Sequence, residues 1–269
     1  MGLYDRVANV QNTAPGKIAI IDMPCNVTYD KLHLKLGGGL TVADITRIEG
    51  QANGRPFYVS NGPDVIAEQK YKGIATSTSW ITLDFTEPKS RGGAGPQYAA
   101  SIPANLLTSL KFYVTIAAGA NVAMTLGANA EFRGPSNNPF IRKMIDFQSA
   151  LPLVGDNALF LPAGASGGII KRLWLYNTGK ITGWDLRVNR LSARRQLVAD
   201  WQYEQTLNDL VPQANLDVMD FIVDGNLQGA LNTQADAAGN IPSVELRVTV
   251  SAAETIRGYL EYIDPIARL

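Results

Sequence analysis

One stretch of this chain occurs twice, and no reading of the fold can ignore it. Residues 110–126, LKFYVTIAAGANVAMTL, place Leu110, Phe112, Val114 and Ile116 in alternation with Lys111, Tyr113 and Thr115. That is the period of a strand with one buried face. A small turn over residues 117–121 and a second alternation through Val122, Met124 and Leu126 read together as a β-hairpin. Residues 244–260, VELRVTVSAAETIRGYL, repeat the plan at an offset of 134 (Leu110 to Val244), with Ile256, Gly258 and Leu260 on the return strand.

Other segments match in the same order. Residues 32–45 align with 173–186 without a gap at an offset of 141, with identities at Leu32/Leu173, Leu34/Leu175, Gly38/Gly179, Thr41/Thr182 and Asp44/Asp185. WITLD at 80–84 aligns with DFIVD at 220–224, and Ile102-Pro103 aligns with Ile241-Pro242. The offset falls late in the series, so a five-residue difference is expected in one loop. An ordered set of matches with a slowly changing offset is what duplication leaves behind.

The duplication predicts two domains, as does a length of 269 residues at roughly 150 per domain. Residues 1–16 read as an irregular N-terminal arm, 17–133 as the first domain, 134–139 (GPSNNP) as a linker and 140–269 as the second. Many short strands separated by Gly- and Pro-bearing turns predict an all-β chain of two tandem antiparallel sandwiches, each with one flanking helix. The first helix is expected from Asn61 through Lys72, stopped by Gly73. The second is expected over residues 191–211, with Ser192 as its cap and Pro212 as its end.

The chemistry-bearing residues are sparse. His33 is the sole histidine and Cys25 the sole cysteine, so no intrachain disulfide forms and any His-based catalyst or metal site rests on one residue. The glycine runs at 37–39 and 91–95 lack the Gly-Lys-Ser/Thr ending of a phosphate loop and read as turns. Asp217, Asp220, Asp224 and Asn226 gather near one strand end and are the candidate calcium ligands, although their spacing is not that of an EF-hand. Trp80, Trp174, Trp184 and Trp201 offer either core or a sugar-stacking platform. The 24 Lys and Arg balance 24 Asp and Glu, which leaves no basic excess for wrapping nucleic acid. Residues 112–130 carry no charge over a near-spanning length, but their period of two is that of strands. No signal-peptide apolar region opens the sequence, so synthesis in a cytoplasm is expected.

In its opening MGLYDRVANVQNTAPGKIAI, its two repeated strand pairs and its two helix-bearing segments, the chain resembles the double jelly-roll major capsid proteins of tailless, membrane-containing icosahedral viruses. The closest likeness is to the corticovirus proteins of marine phages. The resemblance spans the whole chain and carries no catalytic motif. It implies two eight-stranded jelly rolls, a homotrimer of pseudo-hexagonal outline, neighbouring trimers, other capsid and membrane-associated virion proteins as partners, and no enzyme activity. The shortness of every loop implies a flat outer surface. The rival reading is a carbohydrate-binding or glycan-active double β-sandwich, which requires exposed aromatic rings. A non-viral secreted β-rich assembly fits less well, because the opening has no export signal.

Overall fold

The computed structural model describes residues 2–7, 10–91, 94–159, 161, 167–236 and 238–269. Gly92 and Gly93, of the turn expected over 91–95, lie outside the described residues. The chain forms two units. One comprises Met1–Met144 with Pro265–Leu269, and the other Ile145–Asp264.

In the first unit the strands are β1 (Leu3–Arg6), β2 (Val10–Gln11), β3 (Ile18–Met23), β4 (Thr28–Gly37), β5 (Ile45–Ala52), β6 (Arg55–Ser60), β7 (Trp80–Asp84), β8 (Ile102–Pro103), β9 (Leu110–Ile116) and β10 (Thr125–Arg133). Helix α1 (Gly62–Tyr71) follows β6, and a four-residue turn of helix, α2 (Ala94–Gln97), precedes β8. One sheet runs β1-β10-β4-β7, with β8 also on β4; the other runs β6-β5-β9-β3-β2. The core lies between them. Leu110, Phe112, Val114 and Ile116 all point inward from β9 and are buried. Phe112 meets Phe57 and Phe85 with ring centroids 6.0 Å apart in each case, an edge-on or tilted contact that adds to the area buried.

Strand β11 (Phe140–Leu151) begins in the first unit and ends in the second. The second unit then carries β12 (Gly155–Leu159), β13 (Ile169–Tyr176), β14 (Ile181–Val188), β15 (Leu191–Leu197), α3 (Val198–Leu207), β16 (Leu216–Asp220), β17 (Leu231–Asn232), β18 (Val244–Val250) and β19 (Glu254–Pro265). Its sheets run β16-β13-β19-β11, with β17 on β13, and β12-β18-β14-β15. Each unit thus holds eight matching strands, β3–β10 and β12–β19, in the same pairing pattern. This is a jelly roll built twice, and β1 flanks β10 where β11 flanks β19.

The registers fix the equivalence residue by residue. Leu32 pairs with Leu83 and Leu173 with Met219. Ile45 pairs with Ile116 and Ile181 with Val250. The offset of 134 expected for residues 110–116 holds for β9 and β18. Elsewhere the sequence alignment slips. Asp84, paired with Lys31, corresponds to Asp220, paired with Arg172, so WITLD matches LDVMD at 216–220. Tyr29–Ile102 corresponds to Ile170–Leu231, which replaces Ile241 as the counterpart of Ile102. Both slips are even numbers of residues. An even slip keeps every side chain on its face, so alternation cannot detect it. Ile45 corresponds to Ile181 and not to Leu186, a slip of five that comes from a loop-length difference. The lengths differ in more than the one loop expected: the first unit has five extra residues straight after β4, in a glycine-rich turn and the 3₁₀ turn Val42–Asp44, where the Asp44 carboxylate accepts the Thr41 amide at 2.8 Å, and the offset changes again on either side of β8.

Four further expectations are corrected. The repeated hairpin is not a hairpin: β9 and β10 lie in opposite sheets, as do β18 and β19. Two one-face-buried strands joined by a small turn look the same whether the chain doubles back in one sheet or crosses to the other. The helix expected over 191–211 is strand β15 followed by the ten-residue α3, because Leu191–Leu197 pairs along β14. The arm is partly ordered as β1, with Tyr4 opposite Glu131. Residues 134–139 lie within the first unit, where Asn105 bonds the Ser136 backbone at both its carbonyl and its amide (2.9 and 3.0 Å). The chain's last residues return to this unit. Pro139 accepts the Ile266 amide at 2.7 Å, and Lys143 Nζ donates to the Arg268 carbonyl at 3.2 Å.

Candidate functional site

The four candidate calcium ligands are dispersed. Asp220 Oδ2 accepts Arg172 Nε at 2.7 Å while its Oδ1 accepts the Ile222 amide at 2.9 Å. Asp217 accepts Asn177 Nδ2 at 2.8 Å. Burial, helped by the nearby Glu254 charge and opposed by the amide donors of Asn177 and Gln202, pushes its pKa up to about 6. Asp224 accepts the Asn226 amide, and Asn226 in turn accepts that of Gln228, which is turn chemistry. Among the described residues no group of three or more His, Cys, Asp or Glu side chains is placed to hold a metal ion.

The remaining sequence candidates serve the framework. His33 stands beneath Tyr4, with ring centroids 5.8 Å apart, and bridges Thr82 Oγ1 (2.9 Å) and Glu131 Oε1 (3.2 Å). Trp174, Trp184 and Trp201 are buried. Trp174 Nε1 donates to Glu261 Oε2 at 3.0 Å and Trp201 Nε1 to the Val218 carbonyl. Trp80 is half-buried under Lys35. Three of the four rings offered for a sugar platform are therefore spent on the core. Cys25 is half-buried, and burial pushes its thiol up, away from the reactive thiolate. No described helix is long and apolar enough to cross a membrane.

Two buried ionic clusters escaped the sequence reading. In the second unit Glu261 accepts Lys171 Nζ at 2.9 Å and lies 3.5 Å from Arg172, which also holds Asp220. All four side chains are at most 5% exposed. The signal was present: Lys171 and Arg172 interrupt the apolar run IIKRLWLY, and buried charges need partners. In the first unit Glu68 of α1 receives Lys72 at 2.8 Å and also Arg142, which donates to the Asp84 carbonyl as well. With every charge buried and paired, both clusters hold strands and helix in place and present no free nucleophile or base.

What the described surface does offer is apolar area. Leu191, Leu197, Tyr203 and Leu207 of β15 and α3, followed by Val211, are each about half exposed or more. So are Leu3 and Tyr4 on β1. Exposed apolar side chains gathered on one strand and the helix that follows it suit association. The matching positions of the first unit are Arg55, Asn61, Ala67, Tyr71 and Ala75, and there Tyr71 is fully buried.

Two jelly rolls of one pattern in tandem define the double jelly-roll class, and solved structures of that class superpose on the chain. The crystal structure of the major capsid protein P2 from Bacteriophage PM2 matches at a TM-score of 0.89 and 17% identity, over 98% of each chain. The major capsid protein of Sulfolobus Turreted Icosahedral Virus matches at 0.70 and 13%, over 97% of this chain and 96% of that one. A quasi-atomic capsid model of PBCV-1 matches at 0.60 and 7%, over 98% and 93%. At such identities these matches show the fold alone. No curated protein sequence matches. Family profiles carry the relationship further: the viral coat protein P2 N-terminal domain matches residues 4–133 and the C-terminal domain residues 141–266. The chain belongs to the viral coat protein P2 family.

Proposed function

We propose that the chain is the major coat protein of an icosahedral virion, made in the host cytoplasm, and that three copies join into a pseudo-hexagonal tile over an internal membrane. The observation that carries this reading is the duplication within a coat-protein family: three chains of two similar units supply six similar faces to one tile. The exposed apolar β15–α3 surface supplies area for association. A stable contact buries roughly 1,200–2,000 Å². Neighbouring tiles and other virion proteins complete the shell.

Light scattering after size exclusion tests the reading. A particle of 87.0 kDa, three times 29.0 kDa, is the expected result. A persistent 29.0 kDa monomer at high concentration overturns it.

A further inference from the structure

We propose that β1 of one copy docks in parallel along β15 of the next, and that this strand contact is the head-to-tail joint of the trimer. The proposal rests on the trimeric reading above and names its interface.

Both strands end their sheets. The precedent lies within the chain. The first unit's counterpart of β15 is β6, and β6 does not stand open: β11 bridges it in parallel at Met144–Tyr58. Strand β11 is also the counterpart of β1. The same two kinds of strand that meet once inside the chain are therefore left over as one donor, β1, and one acceptor, β15. A sheet edge left open is a template for another strand.

The register carries across. Tyr58 lies opposite Gly50 and Arg194 opposite Leu186, so Tyr58 and Arg194 correspond. Ala128 lies opposite Leu34 and Gly258 opposite Leu175, so Ala128 and Gly258 correspond. Val7 bonds Ala128 and Phe147 packs on Gly258. We take Val7 and Phe147 as the matching positions on these partners, which makes Tyr4 the counterpart of Met144 in the proposed register. Tyr4 is thereby set against Arg194 of the next copy.

The side chains agree with that placement. In the first unit the joint buries Tyr58 and Tyr71 and seats Arg142 of β11 on Glu68. The counterpart of Arg142 is Gly2, which has no side chain. The counterpart of Glu68 is Glu204, and it takes its cation from Arg194 on β15 itself. The charge has moved from donor strand to acceptor strand, so the incoming β1 needs none. It brings Leu3 and Tyr4 instead, both more than half exposed, to the stretch of β15 around Arg194, which Leu191 and Leu197, 74% and 62% exposed, flank along the strand. A contact between two different faces closes into a ring when its rotation allows.

Engineered cysteines test the joint. In a Cys25→Ser background, Tyr4→Cys combined with Arg194→Cys should give, on oxidation, disulfide-linked species up to three chains, since register partners in a sheet lie within disulfide reach. Mixed and reassembled single variants should link in pairs, and each single variant alone should not. An 87.0 kDa particle that never links overturns the joint while leaving the trimer intact. Linkage in Tyr4→Cys alone overturns the head-to-tail geometry. A 29.0 kDa wild type overturns both readings. Leu197→Asp, a surface change that leaves the core alone, should cut the trimer fraction at least tenfold; an unchanged trimer counts against the joint.

Discussion

The two jelly rolls keep the same backbone devices while their charges have been reassigned. Gln69 Nε2 bonds the Thr82 carbonyl at 2.6 Å, and Gln205 Nε2 bonds the Val218 carbonyl at 2.6 Å, so each helix is tied to its sheet by the same amide. Thr46 and Thr182 sit at the same bulge and cap the same neighbouring strand, at 3.3 and 3.2 Å. Asn53 and Asn189 both adopt positive φ and both accept amides from the segment before β9 or β18. Yet Lys31 and Glu131, 30% and 36% exposed at 3.0 Å, occupy the positions that Arg172 and Glu261 fill as a buried pair. Bonds that satisfy a backbone group persist because each strand junction needs them whatever surrounds it. Ion pairs answer to local burial and are free to diverge.

Removing one carboxylate from each unit gives the widest expected contrast. Glu261→Ala takes a carboxylate away from the buried Lys171 and Arg172, the latter keeping Asp220, and should cost about 3–5 kcal/mol. Glu131→Ala should cost about 1 kcal/mol or less, since that pair meets solvent. Urea unfolding measures both, and equal losses would erase the distinction between the units.

The next test concerns pH. The raised Asp217 pKa makes its charged form the unfavourable one in the fold. Its penalty is absent below the unfolded value near 3.9 and complete above about 6. Stability should therefore fall between those limits by about 1–3 kcal/mol, and Asp217→Asn should flatten that slope. The counterpart in the first unit is Ile81, fully buried and uncharged, so no matching slope arises there. A slope unchanged in the variant would assign it to other groups.

The glutamine ties sharpen the comparison further. Gln69→Ala should cost about 1–2 kcal/mol and Gln205→Ala less, because the Val218 carbonyl keeps Trp201 Nε1. The smallest contrast is at the β-turns, where Gly54 and Arg190 correspond, with φ of 76° and 67°. Arg190→Gly should stabilise by about 0.5–1 kcal/mol and Gly54→Ala should destabilise by a similar amount. Thermal unfolding of the four variants reports both signs.

Sequence alone carried the duplication, the all-β class and most strand positions, since alternation and Gly-Pro punctuation are local. Pairing was not legible. Residues 110–126 read as a hairpin because nothing in Phe112 or Leu126 states which sheet it joins. The first helix was well bounded by Asn61, whose side chain accepts the Asp64 amide, and by Gly73. The second lacks such a cap at Leu197, and β15 was absorbed into it. The exposed apolar side chains were hidden for the same reason: Leu197 and Leu207 look like a helix's inner stripe until β15 and α3 separate and leave them outside.

The placement of Pro265–Leu269 in the first unit has a consequence in time. A ribosome delivers residues in order, so Pro139 waits for Ile266, and Lys143 waits for the carbonyl of Arg268, 125 positions further on. Neither half is finished early, because β13 needs β19 and the first unit needs the chain's last residues. A chain cut short before Pro265 therefore leaves its first unit without the bonds that Ile266 and Arg268 bring to it.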